Sequence, residues 1–276
     1  MSAAVMAVVL LGAGLHATWN VAVRAGSDRR RETALLAGMA ALLAAALLPT
    51  QPWLRAAVWR HVAVSTVLHT FYFALMAEAY VRGGVALAYP LMRGVAPMLA
   101  MLAAWGLLGE GLTPGGAAGS LAICAGVALL ARRRADAGER AAVLFALANA
   151  AVIAAYTVND AVGARESGAP LAYALWVFVA SAVPTLIWFA RRGALRRPTA
   201  REALRSGGGA ACSIAAYALT LWAMTRADVG PVAALRETSM LFGIVLARAV
   251  LGERPGPRGW AAAGAIAAGA AVLRLA

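Results

Sequence analysis

The side chains of this chain that could do chemistry are polar and aromatic residues set at helical spacing inside long apolar stretches. His16, Trp19, Asn20 and Val23 stand at i, i+3, i+4 and i+7, so they share one face of a helix. Contact of this face with lipid is unfavourable, because an unpaired imidazole is costly in the hydrocarbon interior of a membrane. We expect His16 to face a cavity. Two positions are compatible with Trp19, the wall of a cavity and an interfacial aromatic belt. For Asn20 the alternative to the cavity is a hydrogen bond between two helices.

A comparable polar stripe recurs in the second half of the chain. Residues 18–23 and 157–162 match at an offset of 139, which makes Asn20 and Asn159 equivalent. Tyr156 and Asp160 lie on the same stripe as Asn159. Two matching stripes from two copies of one unit are expected to face a single central cavity.

Two further stripes combine aromatic and thioether side chains. One carries His69, Tyr72, Phe73, Met76 and Tyr80, and the other carries Ser213, Tyr217, Thr220 and Met224. Packing is the common role of such stripes. The alternative is a pocket wall, in which aromatic rings and adaptable thioethers hold a small organic solute.

Arg93 and Arg236 occupy the same depth of two apolar helices, at an offset of 143 in the sequence. Pro90 and Pro97 flank Arg93, and each proline frees a backbone carbonyl in its helix. One interpretation is that both guanidinium groups line the cavity and bind a carboxylate or phosphate of the substrate. The other is that both bond to carbonyls or helix ends and hold the structure together, with Glu237 paired to a cation.

The offset of 143 extends over a whole passage of sequence. Leu108-Gly109-Glu110 recurs as Leu251-Gly252-Glu253, and each copy ends in a further apolar helix. Internal repeats define the unit of folding. We therefore expect two repeat domains, residues 1–134 and residues 135–276.

The composition predicts that this unit folds in a membrane. The chain is 62% hydrophobic and 13% charged, about half of the roughly 25% charged residues of a soluble domain. Apolar stretches of about 20 residues, the length that crosses a bilayer, recur ten times. The predicted fold is an all-α membrane protein with ten transmembrane helices, arranged as two inverted repeats of five helices, since an odd number per repeat reverses the second copy.

Arginines in the short loops predict the orientation and the location. The loops after the odd-numbered spans carry 17 arginines and the opposite side carries 5. The net charge of +13 therefore reports membrane topology, and no nucleic acid partner is expected. We expect a multi-pass protein of the inner or plasma membrane, with the odd-numbered loops in the cytoplasm and both termini outside.

The sequence offers no set of residues for catalysis, a metal or a cofactor. His16, His61 and His69 lack metal-ligand spacing, and Cys124 and Cys212 lie in apolar helices without a motif. No filter-like repeat of backbone carbonyls suggests a channel. An enzyme, a metal protein and a channel are therefore the less favoured classes.

At the level of motifs the chain resembles the EamA-type branch of the drug/metabolite transporter superfamily. The resemblance rests on the five-plus-five plan, the two Leu-Gly-Glu turns, residues 235–239 and the opening His16-Ala17-Thr18-Trp19-Asn20. It implies a carrier, usually an exporter of amino acids or related metabolites, that works by alternating access. The alternative is a flippase for a lipid-linked sugar. One departure is orientation, because the family is commonly drawn with both termini in the cytoplasm.

The partners expected from this interpretation are a small-molecule substrate, the lipid bilayer and protons. His16 is the predicted titrating group for exchange with protons, since imidazole changes charge nearest neutral pH, and Asp160 is its rival. The expected oligomeric state is a monomer or a weak homodimer.

Overall fold

A computed structural model describes residues 1–24, 29–83, 85–130, 139–191, 193, 198–251 and 256–275. These residues contain α-helices and two short 3-10 helices, Leu48–Thr50 and Ala56–Val58, and no strand. The α-helices are α1 (Ala3–Arg24), α2 (Arg29–Leu47), α3 (Trp59–Gly83), α4 (Val85–Leu108), α5 (Pro114–Leu129), α6 (Glu139–Ser167), α7 (Pro170–Ala190), α8 (Ala200–Met224), α9 (Val229–Arg236), α10 (Ser239–Leu251) and α11 (Pro257–Leu275).

Eight helical segments of the described residues are long and apolar enough to cross a membrane. They include α9 and α10, which together supply one span, Val229–Leu246. Of the two remaining expected spans, α5 has only 16 residues, about 24 Å of helix, and α11 contains Arg258 and Arg274. The all-helical membrane fold is confirmed, and the count of ten spans stays a prediction.

Ion pairs at the helix ends define two faces of the bundle. Arg60 and Glu166, whose charged atoms are 2.8 Å apart, lie at one face. The links between helices at this face contain residues 48–58, 109–113, 168–169 and 225–228. We call this the terminal face. At the opposite end Arg31 pairs with Glu202 at 2.8 Å, and Arg205 pairs with Glu32. We call this the arginine face. Consecutive helices therefore alternate in direction.

Helix packing follows a two-fold pattern between the halves. The first half contains α1 to α5, and the second contains α6 to α11, with α9 and α10 together equivalent to α4. The contact of α1 with α8 has its counterpart in α3 with α6, and that of α2 with α8 has its counterpart in α3 with α7. The pairs α2 with α7, α4 with α9 and α5 with α11 join equivalent helices. This is the arrangement that a pseudo-two-fold axis produces.

The contact between α5 and α11 shows the direction of that axis. A Cβ added at Gly126 would lie 2.8 Å from Ile266 Cγ1, and one added at Gly269 would lie 2.7 Å from Ile123 Cγ1. These four residues form two pairs at an offset of 143, so the contact maps onto itself when the halves are exchanged. Residue numbers rise along α5 while those of its neighbours on α11 fall, which is the antiparallel packing expected of inverted repeats. The expected boundary between residues 134 and 135 lies outside the described residues.

Substitution of Gly269 tests this interface. Gly269→Leu should reduce the free energy of unfolding by at least about 2 kcal/mol, because its Cβ would lie 2.6 Å from the backbone oxygen of Gly119 and helix backbone cannot move aside cheaply. The measurement is thermal unfolding of the purified protein in detergent, followed by tryptophan fluorescence.

The matched control is Gly264→Leu on the same helix. A Cβ at Gly264 meets nothing within 4 Å, so only the gain in helix propensity remains. Equal unfolding temperatures for the two variants would show that α5 and α11 do not pack at Gly269.

Candidate functional site

Two arginines and one glutamate meet where the halves cross. Arg93 on α4 donates from Nε to Oε2 of Glu237 at 2.8 Å, and Nε of Arg236 lies 3.7 Å from the other oxygen, Oε1. The Glu237 side chain is 1% exposed, and those of Arg93 and Arg236 are 7% and 9% exposed. The repeat-equivalent arginines therefore share one buried carboxylate.

The shared carboxylate leaves polar atoms of this cluster without protein partners. Arg93 Nη2, Arg236 Nε and Glu237 Oε1 are buried and form no hydrogen bond with any described residue. The structural interpretation of the sequence had both guanidinium groups on carbonyls or helix ends and Glu237 paired to a cation. Within the described part of the chain neither guanidinium is bonded to a backbone carbonyl, and the cation paired with Glu237 is Arg93. Two positive charges and one negative charge leave the cluster with a net charge of +1.

Glu237 lies at a break between α9 and α10, which together supply one span. α9 ends at Arg236 and α10 begins at Ser239, so Glu237 and Thr238 lie between two helices. Their amides bond to the carbonyls of Ala234 and Leu235 three residues back, at 2.9 and 3.0 Å. The Thr238 hydroxyl donates to the same Leu235 oxygen at 2.8 Å, a local bond that competes with helical geometry.

The prolines of the first copy do not interrupt their helix. Pro90 and Pro97, each of which removes an amide donor beside Arg93, lie inside α4, which is continuous from Val85 to Leu108. The interruption occurs in the equivalent span, which has no proline between Gly230 and Leu251 apart from Pro231 in its first turn. Discontinuous helices near the bilayer midplane mark the binding sites of many transporters.

The stripe on α1 faces this cluster. His16 is partly exposed and lies within electrostatic range of both Arg93 and Arg236. Its ring meets that of Trp19 edge to face, with centroids 5.0 Å apart. The Trp19 indole nitrogen is buried and has no partner among the described residues. Asn20 donates to the carbonyl of His16 at 2.8 Å, so its amide bonds within α1.

Aromatic rings form a wall beside the cluster. The His69 ring stacks on Tyr156 with centroids 4.4 Å apart, and Tyr72 meets Tyr156 edge to face at 6.2 Å. Tyr72 and Tyr156 are also within electrostatic range of Arg93. Met76 and Tyr80 pack against the same group of residues. The wall joins α3 to α6. Its contacts fit both interpretations of the aromatic stripe on α3, packing between helices and a pocket wall.

Asp160 forms a separate polar cluster toward the terminal face. It is fully buried and accepts from Tyr173 at 2.8 Å, from Tyr217, and from Asn159 at 3.0 Å. Asn159 also donates to the carbonyl of His61 at 2.9 Å. Equivalent asparagines therefore bond differently, because Asn20 bonds within its own helix while Asn159 joins α6 to α3.

The first Leu-Gly-Glu turn positions α9. Gly109 has φ +67°, a conformation that favours glycine, and the turn directs Glu110 across to the second half. Glu110 accepts from the Val229 amide at 2.6 Å, which caps the start of α9, and from Arg165 at 2.7 Å. One end of α9 is thus fixed by the first half. Gly252 and Glu253 of the second turn lie outside the described residues.

Sequence reasoning left some partners in these clusters unassigned. Glu237 was assigned only to a cation that was not named, and Tyr173 gave no signal because it lies in an apolar run between Leu171 and Phe178. His69 was grouped with the aromatic stripe by its spacing alone. A surface pocket between α5 and α9, lined by Trp105, Glu110 and Asp228 among others, includes no residue of the arginine cluster in its lining.

A family model and a solved structure each match nearly the whole chain. The model of the EamA-like transporter family matches residues 3–132 and residues 140–275. A solved crystal structure of a protein with 24% identity matches with a TM-score of 0.75, over 100% of this chain and 98% of that one, and shows the fold. No curated protein matches.

Loss of the buried ion pair should destabilise the protein strongly. Arg93→Met leaves Glu237 with Arg236 at 3.7 Å as its nearest cation, and we expect a cost of about 3–5 kcal/mol in the free energy of unfolding. The double variant Arg93→Met with Glu237→Gln should regain part of that loss, because no uncompensated carboxylate remains. Thermal unfolding in detergent measures both.

A surface pair on α3 provides the control. Arg82 and Glu78 form an i,i+4 pair with side chains 38% and 45% exposed, and Arg82→Met should cost less than about 1 kcal/mol. If Arg93→Met and Arg82→Met have the same effect, the buried pair does not hold the two halves together.

Proposed function

The chain belongs to the EamA-like transporter family, and on that premise we propose that it is a secondary transporter that exports small metabolites, amino acids or related compounds, by alternating access. The family consists of transporters, and the eight membrane-capable helices make the chain a multi-pass membrane protein. We propose the inner or plasma membrane as its location. The substrate, its direction of movement and the coupling are parts of this proposal.

The observation that carries the proposal is the charged cluster at a helix break between the two halves. Inverted-repeat transporters bind substrate near the midplane where their halves meet, commonly at interrupted helices. Arg93, Arg236 and Glu237 lie at such a crossing, with polar atoms that have no partner among the described residues. Ionisable groups in a membrane interior are costly and mark functional sites by default.

Burial along the helices supports access from the arginine face. In α6 most of residues 153–164 are buried, whereas most of residues 141–152, which lie nearer the arginine face, are not. The Asp160 cluster lies in the densely packed part and joins α6, α7 and α8. We propose that this arrangement is the state open to the arginine face. The excess of arginines in the loops on that face supports a cytoplasmic location for it.

Alternating access then requires the terminal side to open. Such opening would separate the groups that join α3 to α6 and α6 to α8. These include the bond from Asn159 to the His61 carbonyl, the pair of Arg60 with Glu166, and the bond of Tyr217 to Asp160. Hydrogen bonds exchange with water at modest net cost, so a polar seal can open and close reversibly.

Counterflow in proteoliposomes tests the function. Vesicles preloaded with amino acids, amines or nucleosides should take up labelled solute of one class with saturation, whereas a flippase for a lipid-linked sugar would move no free solute. Tyr156→Ala should slow this uptake about tenfold at low substrate, because it removes the ring at the centre of the aromatic wall.

The control for that variant is Trp260→Ala on α11. The Trp260 side chain is 61% exposed on the outside of the bundle, so its loss should leave counterflow unchanged. Equal slowing by both substitutions would argue that Tyr156 acts through stability and that the wall does not contact substrate.

Proton coupling is proposed through His16. This imidazole is partly exposed and lies in range of both arginines, so its charge would affect an anion bound between them. His16→Ala should retain counterflow but should not concentrate substrate when an imposed pH gradient is the only driving force. Accumulation in proteoliposomes measures this.

The comparison variant is Asp160→Asn. Asp160 is the rival coupling group, and it accepts hydrogen bonds on both oxygens. If His16→Ala still concentrates substrate and Asp160→Asn does not, coupling belongs to Asp160. If both variants concentrate substrate, neither residue is the coupling group. If the unmodified protein does not concentrate substrate under the pH gradient, transport is facilitated diffusion and the proposal of proton coupling is wrong.

A further inference from the structure

The charges at the centre of the protein do not balance. Arg93 and Arg236 face one carboxylate, that of Glu237, and all three side chains are buried. The other groups that act most strongly on Arg93 are Tyr72, Tyr89 and Tyr156, which are neutral phenols at physiological pH. His16 is also in range of Arg93, and an imidazole brings no negative charge. One positive charge is therefore left without a protein counter-charge among the described residues.

The other buried carboxylate in this region is already occupied. Asp160 accepts from Tyr173 and Asn159 on one oxygen and from Tyr217 on the other. Glu237 is the acidic group that acts most strongly on Arg93. The hydrogen bonds of Asp160 go to other side chains, and among the described residues it forms an ion pair with neither Arg93 nor Arg236.

Free donors accompany the excess charge. Arg93 Nη2 and Arg236 Nε are buried and have no hydrogen-bond partner among the described residues. An unpaired buried charge is strongly unfavourable, whereas an anion that accepts from both guanidinium groups compensates it. A carboxylate or sulfonate has the planar or tripodal oxygens that match a guanidinium.

We propose that the site selects organic anions with one net negative charge, in which a carboxylate or sulfonate is attached to an apolar or aromatic body. The acidic group would lie between Arg93 and Arg236, and the body would lie along the wall of His69, Tyr72 and Tyr156. This selection rests on the proposed transport function. It narrows the proposed substrates to monoanions, so that among amino acids and related compounds it favours those without a free ammonium group.

Glu237 acts in this proposal as an internal anion. Its carboxylate bonds Arg93 at 2.8 Å, and Oε1 has no hydrogen-bond partner within the described part of the chain. A bound substrate anion therefore competes with it for the guanidinium of Arg93. A zwitterion brings an ammonium group as well, which adds a positive charge beside a cluster that is already +1.

Four probes that share a phenyl ring and a two-carbon link separate charge from shape. They are 3-phenylpropanoate and 2-phenylethanesulfonate as anions, phenylalanine as the zwitterion, and 2-phenylethylamine as the cation. Binding is measured by isothermal titration on the purified full-length protein in detergent at neutral pH. Both anions should bind at least about tenfold more tightly than the zwitterion and the amine.

Variants identify the groups responsible. Glu237→Gln removes the competing charge and keeps the side-chain size, so it should tighten binding of both anions about tenfold. Arg93→Gln should weaken anion binding at least about tenfold, and Arg93→Lys, which keeps the charge, should weaken it less. The control is Arg226→Gln, an exposed arginine in the link between α8 and α9, which should leave binding unchanged.

The outcomes separate this inference from the proposed function. Three results would overturn the selection of monoanions: binding of phenylalanine as tight as that of the anions or tighter, failure of both anions to bind, and weaker anion binding in Glu237→Gln. Weaker binding in Glu237→Gln would make Glu237 a substrate ligand or a structural clamp. Charge-selective binding with no counterflow of any solute, the two anionic probes included, leaves the selection intact and overturns transport. Each variant is first checked for monodispersity and thermal unfolding, and Arg93→Lys serves if Arg93→Gln does not fold.

Discussion

A single buried carboxylate between two repeat-equivalent arginines is the interaction on which the centre of this protein depends. The repeat places Arg93 and Arg236 at matching depths, yet only the second copy follows its arginine with an acid. The equivalent of Glu237 is Gly94, where a Cβ would lie 3.0 Å from the carbonyl of Cys124 on α5. Close packing of α4 on α5 thus excludes a side chain in the first copy, and the acid is confined to the other side of the axis.

Much of the architecture could be predicted from the sequence because it depends on local pattern. Apolar stretches of membrane length and an offset of 143 indicate a helical membrane protein of two repeats, without knowledge of any contact. Gly109 and Glu110 were also recognisable as a turn at a helix end. Their role as a cap for α9 was not, because the capped amide of Val229 belongs to the other half.

The parts that could not be predicted depend on contacts between distant residues. Tyr173 completes the Asp160 cluster, but a tyrosine in an apolar run carries no sign of its partner. The break at Glu237 was missed because prolines are the usual signal, and here the helix is interrupted beside a Thr238 hydroxyl that bonds its own backbone. Pro90 and Pro97, conversely, lie in a continuous helix.

The contact of α5 with α11 has a consequence for how such a chain can arise. Gly126 meets Ile266 as Gly269 meets Ile123, so each half presents one surface to a copy of itself. An interface of this kind is isologous, and it closes a dimer of identical subunits as readily as it joins two halves of one chain. The covalent link is therefore not what makes the surfaces complementary. Two copies joined in one chain can differ in sequence, and the single acid at the centre is a difference that two identical subunits could not have.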